Sequence, residues 1–272
     1  MQQIKVKDMI VELFGPPGSG KTTFSLALAA RLGQHGASVN SRLSLRPGED
    51  GRSATAAGGT APFVATSRRL LRPVKELALT AFRPTGSSET WIAADKLSSA
   101  HAGGRILRRF RMWQYLVRLG AGWSQAAKSN AIWIFDQAYL QAIVSIAVGN
   151  PHLADADLAA LVELAPKSAL IVRLETESDE IEARLVRRRA QFGPAGNLLE
   201  DWSGGVREQL AATARLGALL RASGRPMLSL NSRDDASREA SVDLVMSEIA
   251  KLANGPITDT LEKPCGALCA ST

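Results

Sequence analysis

Near the start of the chain the residues Gly15-Pro16-Pro17-Gly18-Ser19-Gly20-Lys21-Thr22-Thr23 have the types and spacing to hold a polyphosphate. They complete the pattern G-x4-G-K-[ST]. Glycines let the backbone curl so that consecutive N–H groups and the N-terminus of the next helix face an anion. Lys21 places a compact positive charge at the β- and γ-phosphates, and the Thr22 hydroxyl is a hard oxygen donor suited to Mg2+. The motif carries weight only between a strand and a helix. Both flanks are present: the apolar run Met9 to Phe14, and an apolar helical pattern from Thr22 to Leu32 that closes at Gly33. A structural Gly/Pro turn is the lesser reading, and the ligands implied are a nucleoside triphosphate, ATP, with Mg2+.

A carboxylate stands where such chemistry uses one. Asp136 directly follows the buried-strand pattern Ala131 to Phe135, the position from which an acid holds Mg2+ through water or handles an acceptor's proton. The alternative is an ordinary N-cap for the following helix. Gln137 comes next where a hydrolysing oligomeric ATPase carries a second acid, and no guanine-reading N-K-x-D is recognisable, so neither an ATPase of that type nor a GTPase switch is favoured. Further on, Arg184, Arg187, Arg188 and Arg189 crowd one helical segment, with Arg184 and Arg188 one turn apart on a shared face. Such a cluster can swing over the phosphates and stabilise charge on the transferring group. The alternative is a solvated helix in which Glu180 pairs with Arg184 at i,i+4.

The elements that position these groups alternate. Strands are expected at 9–14, 37–45, 131–135, 169–174 and 226–230. Helices are expected at 22–32, from Asp136 to about Val148, at 153–164, 178–191, 201–222 and 235–253. This order implies right-handed crossovers and an α/β fold: a P-loop NTPase-type, doubly wound, parallel five-stranded sheet with helices on both faces and a helical insertion. Residues 46–62 are Gly/Ala/Thr/Ser-rich and read as a loop, and 63–128 as basic helices broken at Pro73, Pro84, Gly103-Gly104 and Gly120. The division expected is a P-loop domain over 1–255, with 46–130 as its basic helical insertion and 256–272 as a disordered tail.

The P-loop, the strand ending Asp136-Gln137-Ala138-Tyr139, the pattern V-R-L-x5-E-x3-R-x2-R from Val172 to Arg187, and a last strand followed by Asn231-Ser232-Arg233 together resemble the thymidylate kinase-like group of nucleoside and nucleotide kinases. The resemblance spans most of the chain except 46–130 and the tail. It implies a kinase in which the arginine helix is a lid, Arg184 and the loop Asn231-Ser232-Arg233 sandwich the adenine of ATP, and the insertion forms the acceptor pocket. The family's Asp-Arg-[Tyr/Phe/His] is Asp136-Gln137-Ala138 here, which removes the arginine that grips the family's acceptor.

The chain has 272 residues, 33 Lys and Arg against 26 Asp and Glu, and a net charge of +7. Residues 51–135 alone hold thirteen Lys and Arg against three acids, so the rest is slightly acidic. Between Arg105 and Arg118, the residues Arg108, Arg111 and Arg118 fall on one helical face with Tyr115, opposite Ile106, Phe110, Trp113 and Val117. The stripe fits an anionic acceptor, an anionic membrane surface or nucleic acid, or is a solvated face; nucleic acid is disfavoured because the aromatics sit on the apolar side. Glu49 and Asp50 stand beside Asp136 as candidate general bases. His35, His101 and His152 are incidental, and of the five tryptophans Trp133 is expected in the core. Cys265 and Cys269 read as thiols of a cytosolic tail, which with the absence of a signal or membrane-spanning run points to the cytoplasm. Two functions remain open: transfer of the γ-phosphate to a small-molecule acceptor (a nucleoside, nucleotide or other anionic metabolite first, then a sugar, antibiotic or lipid-linked glycan precursor), or a regulatory ATPase docking a protein or membrane. A homodimer is left open.

Overall fold

Strand β1 (Met9–Phe14) is buried along its whole length, the pattern of a strand covered on both faces. The computed structural model describes residues 9–43, 88–100, 106–187 and 205–254, with the backbone alone for 88–91 and 106–108. Around β1 lie β2 (Val39–Arg42), β3 (Ile132–Phe135), β4 (Leu170–Glu175) and β5 (Met227–Asn231) in the order β2-β3-β1-β4-β5. Every pair is parallel. This is the doubly wound α/β sheet that the alternation of elements predicts.

The helices are α1 (Lys21–Gln34), α2 (Ser88–Ser99), α3 (Ile106–Ala126), α4 (Tyr139–Gly149), α5 (Asp155–Leu164), α6 over 178–187, α7 (Val206–Ala222) and α8 (Asp235–Asn254). Side chains alternate along each strand and so build two cores. Val11, Leu13, Ile134 and Val172 face Phe24 and Leu28 of α1 and Val245 and Ile249 of α8. Ile10, Phe14, Phe135 and Ile171 face α2, α3, α4, α5 and α7, through Leu97, Leu116, Ile143, Leu158 and Leu216 among others. Trp123 of α3 locks that second layer, lying 5.1 Å from Phe135 and edge-on to Tyr139 at 5.4 Å between ring centres.

Four expectations change. The second strand is shorter than 37–45, because it is an edge strand paired on one side only, with β3. The helix expected from 201 is regular from Val206, with 201–204 outside the described residues. Trp133 packs against the core without being fully buried, and its indole N–H donates to Ser129. The division of α3 into an arginine face and an apolar face also fails in part: Phe110 is 39% exposed, and Tyr115 turns inward. Among the described residues no helix is long and apolar enough to cross a membrane. The loop 46–62, the helices expected within 63–87, His101, Arg105, Trp202 and the tail 256–272 with Cys265 and Cys269 lie outside the described residues.

Candidate active site

The sheet reverses its winding at β1, with β3 on one side and β4 on the other, and open α/β sheets bind ligands outside the carboxyl ends of strands at such a point. Residues 15–20 leave β1 there. Gly18 and Gly20 have φ of 81° and 85°, a left-handed conformation that side chains with a Cβ rarely adopt, so the loop curls over the start of α1. Gly20 is the N-cap of α1, and no side chain caps that helix, which leaves its first N–H groups directed into the loop. Lys21 is buried and reaches across, its Nζ donating to the carbonyls of Gly15 at 2.8 Å and Pro16 at 2.9 Å.

Thr22 meets Asp136. The Thr22 hydroxyl donates to Asp136 Oδ2 at 2.9 Å, although the two are 114 residues apart in sequence. Asp136 is fully buried at the end of β3. It is not the N-cap of the next helix: α4 starts at Tyr139, its N-cap is Ala138, and no side chain of the cap serves it. One hydroxyl and one carboxylate are the kind of sparse, hard-oxygen set that suits Mg2+, an ion that keeps several waters. Among the described residues no group of three His, Cys, Asp or Glu forms a fuller metal cage.

On the other side of the loop, Arg184 of α6 donates to the Gly18 carbonyl at 2.9 Å and to the Arg233 carbonyl at 2.8 Å, while Glu180 one turn back pairs with its guanidinium. The Ser232 carbonyl lies 3.4 Å from the same guanidinium, and Arg233 pairs with Glu177 and Glu180. Arg184 and the 231–233 loop are therefore together, as is the i,i+4 pair offered as the alternative. One arginine does both. Of the remaining expected residues, Pro17 is half-buried, Ser19 buried, Thr23 and Asn231 exposed; Arg188, Glu49 and Asp50 lie outside the described residues.

Three groups escaped the sequence reading. Arg42, at the end of β2, lies across α3 where Gly122 leaves room; a Cβ on Gly122 would stand 1.7 Å from its guanidinium. Arg42 donates to the Arg118 carbonyl at 3.4 Å, and burial first, then the Arg118 charge, lower its pKa. Gln141 accepts from the Gly15 N–H at 3.3 Å. Glu12, buried in the middle of β1, accepts from the Leu140 N–H at 2.7 Å, and burial pushes its carboxyl up to about 8. A single acid inside Met-Ile-Val-Glu-Leu-Phe was the one signal in the sequence that marked it. Arg111 and Arg118 are exposed on α3, as are His35 and His152 elsewhere.

No protein-family model matches the chain, and no curated protein matches it. Solved structures of deoxyadenosine kinase from M. mycoides are similar to it over most of its length. The one with the products dCMP and a flexible dCDP bound is 14% identical with a TM-score of 0.45, covering 90% of this chain and 100% of that one. The structure with dATP is 15% identical, also at 0.45, over 89% and 99%. The structure with dCTP is 14% identical at 0.40, over 89% and 98%.

Proposed function

We propose that the protein is an ATP-dependent phosphotransferase that moves the γ-phosphoryl group to a small anionic acceptor, a nucleotide in the first place. The observation that carries this reading is the meeting of Thr22 and Asp136 at 2.9 Å beside Lys21 and the curled glycine loop. The backbone N–H groups of residues 15–22 and the Lys21 ammonium hold the phosphates. Thr22 and Asp136 would hold Mg2+, which when bound neutralises charge on the β- and γ-oxygens. Arg184, braced by Glu180, bridges the phosphate loop and the 231–233 loop, and these two edges would flank the base. Asp136 orients the acceptor or takes its proton.

The anionic character of the acceptor rests on Arg42 and Arg118. Arg42 pairs in register with Phe135, the residue before Asp136, so the guanidinium and the carboxylate leave neighbouring strands about 5 Å apart at the same end of the sheet, where one small metabolite can meet both. Arginine offers such a group a bidentate contact. The domain proposed is 1–255, with 46–130 as the acceptor-side insertion, of which α2 and α3 pack on the sheet through Leu97 and Leu116. The cytoplasm is the proposed compartment.

The test is ADP release by the full chain with and without nucleosides, nucleotides, sugars and sugar phosphates. Turnover is expected to rise with a phosphorylated or carboxylated acceptor. Turnover indifferent to every acceptor, and raised instead by anionic vesicles or a protein partner, overturns the proposal. Lys21→Ala is expected to abolish ATP use.

A further inference from the structure

The segment 136–141 joins the sheet to α4 and is pinned at four points. Asp136 accepts from Thr22, the Gln137 carbonyl accepts from the Tyr115 hydroxyl at 3.2 Å, the Leu140 N–H donates to Glu12, and Gln141 accepts from the Gly15 N–H. Two of the four pins belong to the phosphate loop and its helix. The N-terminal turn of α4 has N–H groups that no cap side chain satisfies, since Ala138 occupies the cap. Glu12 supplies that cap from another element. It does so from the face of β1 that otherwise carries Ile10 and Phe14 into the apolar core.

We propose that Glu12 is a positioning residue: by capping α4 from β1 it sets the 136–141 segment, and through it the placement of Gln141 and Asp136 against the phosphate loop. The proposal rests on the phosphotransferase reading of the site for its consequence, though not for its geometry. A carboxyl placed in a core is costly, and a helix of otherwise apolar residues could take a cap from Ser, Thr or Asp at position 138 instead. The position chosen ties the helix to the strand that launches the phosphate loop, so neither can move alone.

The groups around Glu12 define its electrical setting. Tyr115 of α3 and Tyr139 of α4 both feel its charge, Arg225 beyond α7 is the cation that draws on it, and Phe135 and Ile171 flank it in register on β3 and β4. Asp136 lies beyond Phe135 and acts on the same Tyr115. Glu12 is three residues before Gly15, about 10 Å along an extended strand. Ionised, it sets one more negative charge near the site of a bound triphosphate, and a unit charge at that distance in a protein interior changes anion affinity about tenfold.

The experiment compares wild type, Glu12→Ala and Glu12→Gln as full chains. It measures Mg-ATP affinity, kcat and KM across pH, and amide hydrogen exchange at Leu140 and Gly15. Glu12→Ala is expected to raise KM for ATP about tenfold, the loss of one buried hydrogen bond to an ionisable group, and to lower kcat because Asp136 shifts with Gln141, with both amides less protected. Glu12→Gln, whose carboxamide oxygen can accept from Leu140, restores most of that affinity. Wild-type affinity falls as pH rises through about 8, and in Glu12→Gln it does not. Wild-type affinity and amide protection in Glu12→Ala overturn the proposal. If Glu12→Ala does not fold, the same alkaline fall in Glu12→Gln as in wild type overturns it. If the wild-type chain binds no ATP, the phosphotransferase reading fails; the amides then decide alone, lowered protection in Glu12→Ala supporting the positioning role and unchanged protection sinking it.

Discussion

Two carboxyl groups at this site sit in different surroundings and have different expected behaviour. Asp136 holds a hydroxyl that belongs to the phosphate loop, and its neutral isostere keeps the shape while removing the charge. Asp136→Asn is expected to lower turnover by about a hundredfold or more, the typical range for a residue handling a proton or a metal in the transition state, while thermal unfolding stays near wild type. A rate within a factor of a few of wild type, from steady-state kinetics, would remove Asp136 from the chemistry. Glu12 has the opposite signature, because its pKa is about 8 in the folded chain against 4.5 when unfolded. The folded state therefore keeps a proton that the unfolded state has lost above pH 4.5, and stability is highest below that pH and declines as pH climbs toward 8. Glu12→Gln has no such proton to lose. It is expected to match wild type in urea unfolding below pH 4.5 and to exceed it by up to about 3 kcal/mol at pH 7, an upper bound because a buried group relaxes.

At the scale of elements, α3 and α6 do most to shape the site. In α3, Trp123 is wedged between Phe135 and Tyr139, and Gly122 beside it makes the space Arg42 occupies. Trp123→Ala is expected to cost about 3–5 kcal/mol in denaturant unfolding, the usual result of emptying a large core position. Gly122→Ala separates structure from function more sharply. The atom a Cβ would meet is the far end of a flexible arginine, so Arg42 swings away, while alanine gains up to about 1 kcal/mol of helix propensity. Stability is thus expected to hold or rise while KM for the acceptor rises; an unchanged acceptor KM takes Arg42 out of the acceptor site. In α6, Arg184 ties two loops through backbone carbonyls. Arg184→Ala is expected to weaken ATP use and leave the fold intact, since the sheet and both cores lie elsewhere, and a wild-type KM for ATP would deny Arg184 any part in nucleotide binding.

For the whole molecule, the basic count is a matter of distribution. The rest of the chain is slightly acidic, and the excess of arginine and lysine falls in 51–135, whose described helices α2 and α3 pack on one face of the sheet and meet the edge strand β2 where Arg42 lies across α3. Attraction of an anionic acceptor to that edge is expected to weaken with salt more than ATP binding does, because exposed charges such as Arg111 and Arg118 are screened and the buried Lys21 is not. The strand order was legible only as a class: alternating strands and helices announced a parallel sheet, yet nothing local says that β3 inserts between β1 and β2. That insertion is what brings Asp136 beside Thr22.

Local chemistry was written in the sequence. The phosphate loop, its flanking strand and helix, and the carboxylate at the end of β3 could be read from residue type and spacing, because the curl of Gly18 and Gly20 and the apolar runs beside them depend on neighbours in the chain. The arginine cluster on α6 was legible from residue type and helical spacing, and its meeting with the loop at 231–233 only through resemblance. Glu12, Gln141 and Arg42 were not, since each acts on a residue far away in sequence. Glu12 looked like one acid in an apolar strand until folding set it under the first turn of α4, and Arg42 looked like the end of an edge strand until Gly122 opened α3 to it. Whether a side chain caps, pins or repels is decided by what packs opposite it, and only the tertiary structure supplies that.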